Sequence, residues 1–310
     1  MKQHFIVLCG GVGGSRLAEG LARHLAPEAL TIVVNTGDDF EHLGLKICPD
    51  IDTVLYMLAG CVSRERGWGR EDESWVAHET LAALGGPSWF QLGDRDIALH
   101  LARNALLAEG KGLAQAVRHI AAALGVSHVP VPVTEAPTPT VVQTVEGDLA
   151  FQDYFVRRRA DVEVLGLRYG GTPATPLSER VEAAFSDPAL AGIVIAPSNP
   201  FLSIAPMLSI GGLREKLARR DVPVLAVSPY VNGRAVKGPV SRLQRDLGLP
   251  AGDEGLIAYY GGLVDILFTC GSGRPAAVGM SVEDGDTLMP DGAGRGRLAR
   301  RVLERLGWRP

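Results

Sequence analysis

An α/β fold built on a doubly wound, mostly parallel sheet is predicted by three features of this sequence. An apolar run at residues 5–9 stops at a glycine-rich turn, as a strand covered on both faces does before it feeds a helix. Helical periodicity at residues 15–24 and a second apolar run at 30–35 complete a β-α-β unit of ordinary size. The strand–helix alternation then returns in the last third of the chain, which is how a sheet wound in both directions reads.

The first two strands should be parallel, because a right-handed crossover joins them. The middle of the chain reads as helices at 51–58, 76–84, 96–107 and 113–124, separated by glycine-rich loops. A β-rich insert is expected at 129–155. Within it, residues 141–145 and 149–153 flank Glu146-Gly147-Asp148 as a hairpin. Further strands are expected at 192–196, 222–227 and 264–269, and helices at 177–185, 213–219, 240–247 and 294–306. No linker rich in Pro, Gly or Ser divides the chain and no repeat recurs, so residues 1–310 read as one domain with a helical and hairpin elaboration at roughly 60–160.

Composition narrows the function. With 46% hydrophobic and 21% charged residues, the chain has material for a proper core. Its formal net charge of -4 gives no basic stripe for nucleic acid. Cys9, Cys48, Cys61 and Cys270 are scattered without close spacing, against a zinc site or a disulfide framework. A reduced, cytoplasmic enzyme is expected. The apolar stretch near the N-terminus is too short for a signal segment or a membrane span.

Chemistry concentrates in two loops. Gly10-Gly11-Val12-Gly13-Gly14-Ser15-Arg16 lies between a strand and a helix. Glycines there permit close backbone approach, the helix start attracts anions, and Arg16 offers a fork suited to phosphate. No Gly-Lys-Ser/Thr follows, so this is not a P-loop. Arg16 also stands where a dinucleotide fingerprint has its third glycine, which leaves an NAD(P)-dependent oxidoreductase as a weaker alternative. A tight turn without ligand is the plain structural explanation. Downstream, Asp38, Asp39, Asp50 and Asp52 fall within fifteen positions at the same expected sheet edge. Asp50 reads as a helix N-cap with Asp52 in the first turn. Four carboxylates facing a phosphate loop would need a cation between, and oxygen ligands favour Mg²⁺.

Nine segments in order carry a wider resemblance. They are Gly10-Gly11-Val12-Gly13-Gly14, Val34-Asn35-Thr36-Gly37-Asp38-Asp39, Pro49-Asp50-Ile51-Asp52-Thr53-Val54-Leu55-Tyr56, Arg66-Gly67-Trp68-Gly69 and Leu92-Gly93-Asp94-Arg95-Asp96. Phe151-Gln152-Asp153-Tyr154-Phe155, Ala196-Pro197-Ser198-Asn199-Pro200, Val227-Ser228-Pro229 and Asp286-Thr287-Leu288-Met289 follow. Together they closely resemble the 2-phospho-L-lactate transferase family of coenzyme F420 biosynthesis, over essentially the whole chain.

The resemblance implies a Rossmann-like sheet, often dimeric, and a Mg²⁺-dependent transfer. The donor would be a guanosine diphosphate carrying phospholactate, phosphoenolpyruvate or 3-phosphoglycerate. The acceptor would be the deazaflavin Fo, whose ribityl hydroxyl attacks the distal phosphorus and releases GMP. It implies that Gly10, Gly11, Gly13, Gly14, Ser15 and Arg16 hold donor phosphate. Asp50 and Asp52 would serve metal and acceptor, supported by Asp38 or Asp39. Asp94 and Arg95 would lie beside the acceptor, and Ser198, Asn199 and Pro200 against the nucleotide. A proline-ended turn capped by Ser or Asn explains the last three equally well. Where the family has Ser-Asp-Asp, this chain has Thr134-Glu135-Ala136, one carboxylate fewer. The rival from another class is a nucleotide-sensing regulator of a related bacterial family, expected to lack the 92–96 loop and the 151–155 hairpin strand in this form. Trp68 and Trp75 suit stacking on a planar heterocycle or plain packing, and Arg157-Arg158-Arg159 reads as a solvated charge run. His100 reads as structural.

Overall fold

The computed structural model describes residues 3–63, 65–236, 238–271 and 277–309. β1 (His4–Cys9) is buried throughout, with Phe5, Val7 and Cys9 packed into one core and Ile6 and Leu8 into another. That period-two split is what a central strand between two helical layers requires. α1 (Gly11–Ala22) crosses over to β2 (Leu30–Val34), which pairs parallel to β1 from Phe5↔Leu30 to Cys9↔Val34. After β2 come a small hairpin, β3 (Phe40–His42) and β4 (Leu45–Ile47), then α2 (Pro49–Leu58), α3 (Val76–Ala83), α4 (Asp94–Ala108) and α5 (Leu113–Ala123). This long crossover ends at the short edge strand β5 (Val131–Pro132), parallel to β2.

A separate antiparallel sheet follows, made of β6 (Thr140–Thr144), β7 (Gly147–Ala150) and β8 (Val164–Tyr169). After α6 (Glu179–Phe185) the main sheet resumes with β9 (Leu190–Ile195), α7 (Ala205–Leu208), α8 (Leu213–Ala218) and β10 (Val224–Val227). The two-residue strands β11 (Tyr230–Val231) and β12 (Arg234–Ala235) precede α9 (Val240–Asp246), α10 (Asp253–Tyr260), β13 (Ile266–Thr269), β14 (Ser281–Asp284) and α11 (Gly292–Arg305). The main sheet has seven strands, all parallel, in the order β14-β13-β10-β9-β1-β2-β5. The predicted doubly wound α/β fold is thus observed. Among the described residues no helix is long and apolar enough to cross a membrane.

Several local readings are corrected. The return strand of the hairpin ends at Ala150, not Asp153, and residues 151–157 turn helical with a π-helical stretch at Asp153–Arg157. Phe151 and Phe155 then stack at 5.5 Å one turn apart, a pairing that a strand would not give. The hairpin loop is Val145-Glu146, because Thr144 pairs with Gly147. Part of the supposed β-rich insert, β5, belongs to the main sheet instead. The first helix begins at Gly11 rather than Ser15. Asp50 is not the N-cap of α2: Cys48 is, and Pro49 occupies the first helical position, where its missing N–H costs nothing.

Candidate active site

The strand order reverses between β1 and β9, so the loops leaving their carboxyl ends part there and open a crevice, the usual ligand position in such sheets. Gly10 leaves β1 extended and Gly11 turns into α1 at φ +62°, a backbone that favours glycine. The crowding is as informative as the turn. A Cβ on Gly10 would strike the Asp50 carboxylate and Ser203, and one on Gly13 the carbonyl of Pro197. Ser198 ties the two loops together: its hydroxyl accepts from Gly10 N at 3.0 Å and donates to Gly10 O at 2.8 Å.

The carboxylates divide into three groups. Asp50 takes the helix start itself, accepting from Gly11 N at 2.5 Å and from Asn35 Nδ2 at 3.0 Å. The same Asn35 amide lies 3.5 Å from Asp38 Oδ1, so Asp38 and Asp50 share one neutral donor. Both are buried. Burial pushes the Asp50 carboxyl up to about 6. Burial, then the charges of Asp50 and Asp39, push Asp38 well above the usual carboxylate range. Asp39 is held apart, 3.3 Å from Lys46 Nζ. Asp52 is gripped by both terminal nitrogens of Arg103, Nη1 at 3.1 Å and Nη2 closer still. The four acids expected to act together are therefore one uncompensated pair and two carboxylates with cations of their own.

Asp38, Asp50 and Asp52 face a cavity of about 830 Å³, which also reaches Gly10, Gly11, Gly13 and Arg16. Arg16 is half-buried, and burial together with Arg295 lowers its pKa. The cavity lining includes the aromatic residues Trp68, Trp89, Phe90, Phe151 and Phe155. Arg157 lies over Trp89 at 4.4 Å, so it is not merely a solvated charge, and Arg66 lies against Trp68 and Trp75 at 5.6 and 5.2 Å. The lining also includes the aliphatic residues Val231, Val236, Pro239, Val240, Leu288 and Met289.

Ser198 and Asn199 line the cavity, while Gly14, Ser15, Asp39 and Pro200 stand behind its wall. Asn199 also accepts from Phe201 N and Leu202 N, capping the π-helical turn Pro200–Ile204. Asp94 and Arg95 do not line it. They open α4, and Asp94 caps α3 by accepting from Ala77 N at 2.9 Å and Ser74 Oγ at 2.6 Å. The wall there is formed by Asp96, in the same first turn of α4, and His100, one turn beyond it. Thr134 donates to Pro176 O, and Glu135 caps α5 through Leu113 N and Ala114 N, so the departing 134–136 segment is structural. No role is read from the sequence for Trp89, Phe90, Asp96 and Arg103, although Asp96 stands in the 92–96 segment. For the last two the signal was present: Asp96, His100 and Arg103 recur at i, i+4 and i+7, a polar stripe along one helix face.

A sequence profile described as 2-phospho-L-lactate transferase CofD matches residues 5–269. A 2-phospho-L-lactate transferase of Methanospirillum hungatei is 36% identical over 300 residues, covering 96% of this chain and 99% of that protein. A phosphoenolpyruvate transferase of Streptomyces griseus is 37% identical over 313 residues, covering 96% and 97%. Among solved structures, protein BH3568 of Bacillus halodurans superposes with a TM-score of 0.61 at 16% identity, covering 99% of this chain and 100% of that one. At that identity the likeness concerns the fold alone.

Proposed function

The chain belongs to the 2-phospho-L-lactate transferase CofD family, and from that premise we propose that it moves a phospho-organic-acid unit from a guanosine diphosphate donor to the ribityl hydroxyl of Fo. The observation that carries this reading is the arrangement of one cavity. A helix start and a pair of buried carboxylates line it together with a group of aromatic and a group of aliphatic side chains. A planar deazaflavin suits the aromatic residues, and the donor nucleoside would take the aliphatic ones.

In the proposed reaction the Fo hydroxyl oxygen bonds to the distal phosphorus, the bond from that phosphorus to the GMP oxygen breaks, and the hydroxyl proton is released. Arg16 and the first turn of α1 hold the donor phosphates. Asp50 already takes Gly11 N at that helix start, so donor and carboxylates lie close and repel unless a cation joins them. The residues fit Mg²⁺: Asp38 and Asp50 would be its protein ligands. Among the described residues no group of three or more His, Cys, Asp or Glu side chains is placed to hold a metal ion, so substrate phosphate would have to complete the shell. Bound there, Mg²⁺ would neutralise charge on the diphosphate. Asn35 holds the two carboxylates in register, and the walls exclude water from the reacting phosphorus.

The test is turnover of purified protein with Fo, Mg²⁺ and separately prepared donors carrying phospholactate, phosphoenolpyruvate or 3-phosphoglycerate. A deazaflavin phosphodiester and GMP, identified by mass, are expected with one donor preferred. No product with any donor from folded protein would overturn the proposal.

A further inference from the structure

Asp52 was expected to serve the reaction directly, yet its carboxylate is turned to Arg103. Arg103 is wholly enclosed, at 0% exposure, and does not itself line the cavity, although Asp52 does. Its Nη1 also lies 3.3 Å from His100 Nδ1 and 3.4 Å from Lys46 O. One turn along α2 from Asp52, Tyr56 donates to Asp96 Oδ1 at 2.5 Å, and His100 Nε2 lies 3.4 Å from that same oxygen. Thus α2 and α4 are joined by two ties, Asp52 to Arg103 and Tyr56 to Asp96, one turn apart on α2 and two on α4, with His100 between them.

A buried ion pair is poorly explained by stability, since apolar residues of similar volume are often as stable. Its place explains it better. Asp50 lies two positions before Asp52 in the first turn of α2, where no side-chain cap fixes the helix start. Planar two-point contact fixes both distance and angle, which a single point charge does not. We propose that Arg103 is a positioning residue: its grip on Asp52 sets the first turn of α2, and with it Asp50, at the angle that phosphoryl transfer needs. This rests on the role given above to Asp50.

The test compares wild type with Arg103→Lys, which keeps the charge but loses the fork, and with the double variant Asp52→Leu/Arg103→Met, which removes both charges. Both are expected to fold, the double variant melting near wild type. Each should lose kcat, the double variant on the order of 100-fold, the cost of a misplacement near 1 Å. KM for Fo and donor should stay within about threefold. Calorimetric affinity for Mn²⁺, which needs no turnover, should weaken by about tenfold in both. Wild-type kcat and Mn²⁺ affinity in Arg103→Lys, or their recovery together with stability in the double variant, would overturn the proposal. If wild type itself makes no product, the transfer reading fails while the Mn²⁺ comparison still decides the positioning role.

Discussion

Replacing Asp50 by Asn should abolish turnover and yet stabilise the metal-free protein at neutral pH. The folded-state carboxyl lies at about 6 against an ordinary 3.8, raised first by burial. A raised pKa means that the folded state binds the proton more tightly. Its stabilising share is therefore full below the unfolded pKa and is lost as pH rises through about 6. A shift of about two units at ~1.4 kcal/mol each is ~3 kcal/mol lost by pH 7.5. Asn carries no charge and escapes that loss. It can still accept from Gly11 N but sets its amide against Asn35 Nδ2, and one mismatched donor costs about 1–2 kcal/mol. The balance is a gain of ~1–2 kcal/mol, or a Tm higher by a few degrees. Calorimetric melts between pH 5 and 8, with EDTA and then with Mg²⁺, would read it. Wild type should lose stability from pH 5 to 7.5 more steeply than the variant, and Mg²⁺ should raise Tm only in wild type. A variant that melts lower at pH 7.5 with an unchanged pH slope would refute the uncompensated-charge argument, and full turnover would refute the catalytic role.

Other expectations follow from the cavity. Arg16→Ala should raise KM for the donor at least tenfold, the worth of one charge-assisted contact, whereas Arg95→Ala, outside the wall, should alter neither KM by more than about threefold; steady-state kinetics decides both. Trp89→Ala should weaken Fo binding by roughly 1–2 kcal/mol through lost stacking while sparing the donor, measurable by titrating Fo fluorescence. Tyr56→Phe removes the hydroxyl that donates to Asp96 and should cost about 1 kcal/mol in denaturant unfolding. An unchanged midpoint would show that tie to be idle.

The sheet was legible because its strands, such as residues 5–9, are apolar runs punctuated by glycine, a signal that is local. The glycine loop was legible for the same reason, though not the carboxylate that fills it: the contact from Gly11 to Asp50 spans 39 positions. Residues 149–153 open with an apolar run just after a glycine turn and so read as a return strand, and only the antiparallel pairing, which stops at Ala150, and the Phe151–Phe155 stack reveal the helical turn. Arg103 escaped notice because arginine is seldom wholly buried. Its burial follows from Asp52, on a helix far away in sequence. Carboxylates could be grouped by sequence position, but which of them receive a cation depends on side chains brought in by α4 and β4.

The Ser198 hydroxyl that both accepts from and donates to Gly10 spans 188 positions, and this has a consequence for biosynthesis. The glycine loop leaves the ribosome long before β9, so the nascent N-terminal half has no assembled crevice with which to capture a nucleotide. Closing so long a loop adds only about 0.6 kcal/mol for each doubling of its length. Loops within the intervening stretch can therefore lengthen at small chain-entropy penalty, provided β2, α2, β5 and β9 still dock around β1.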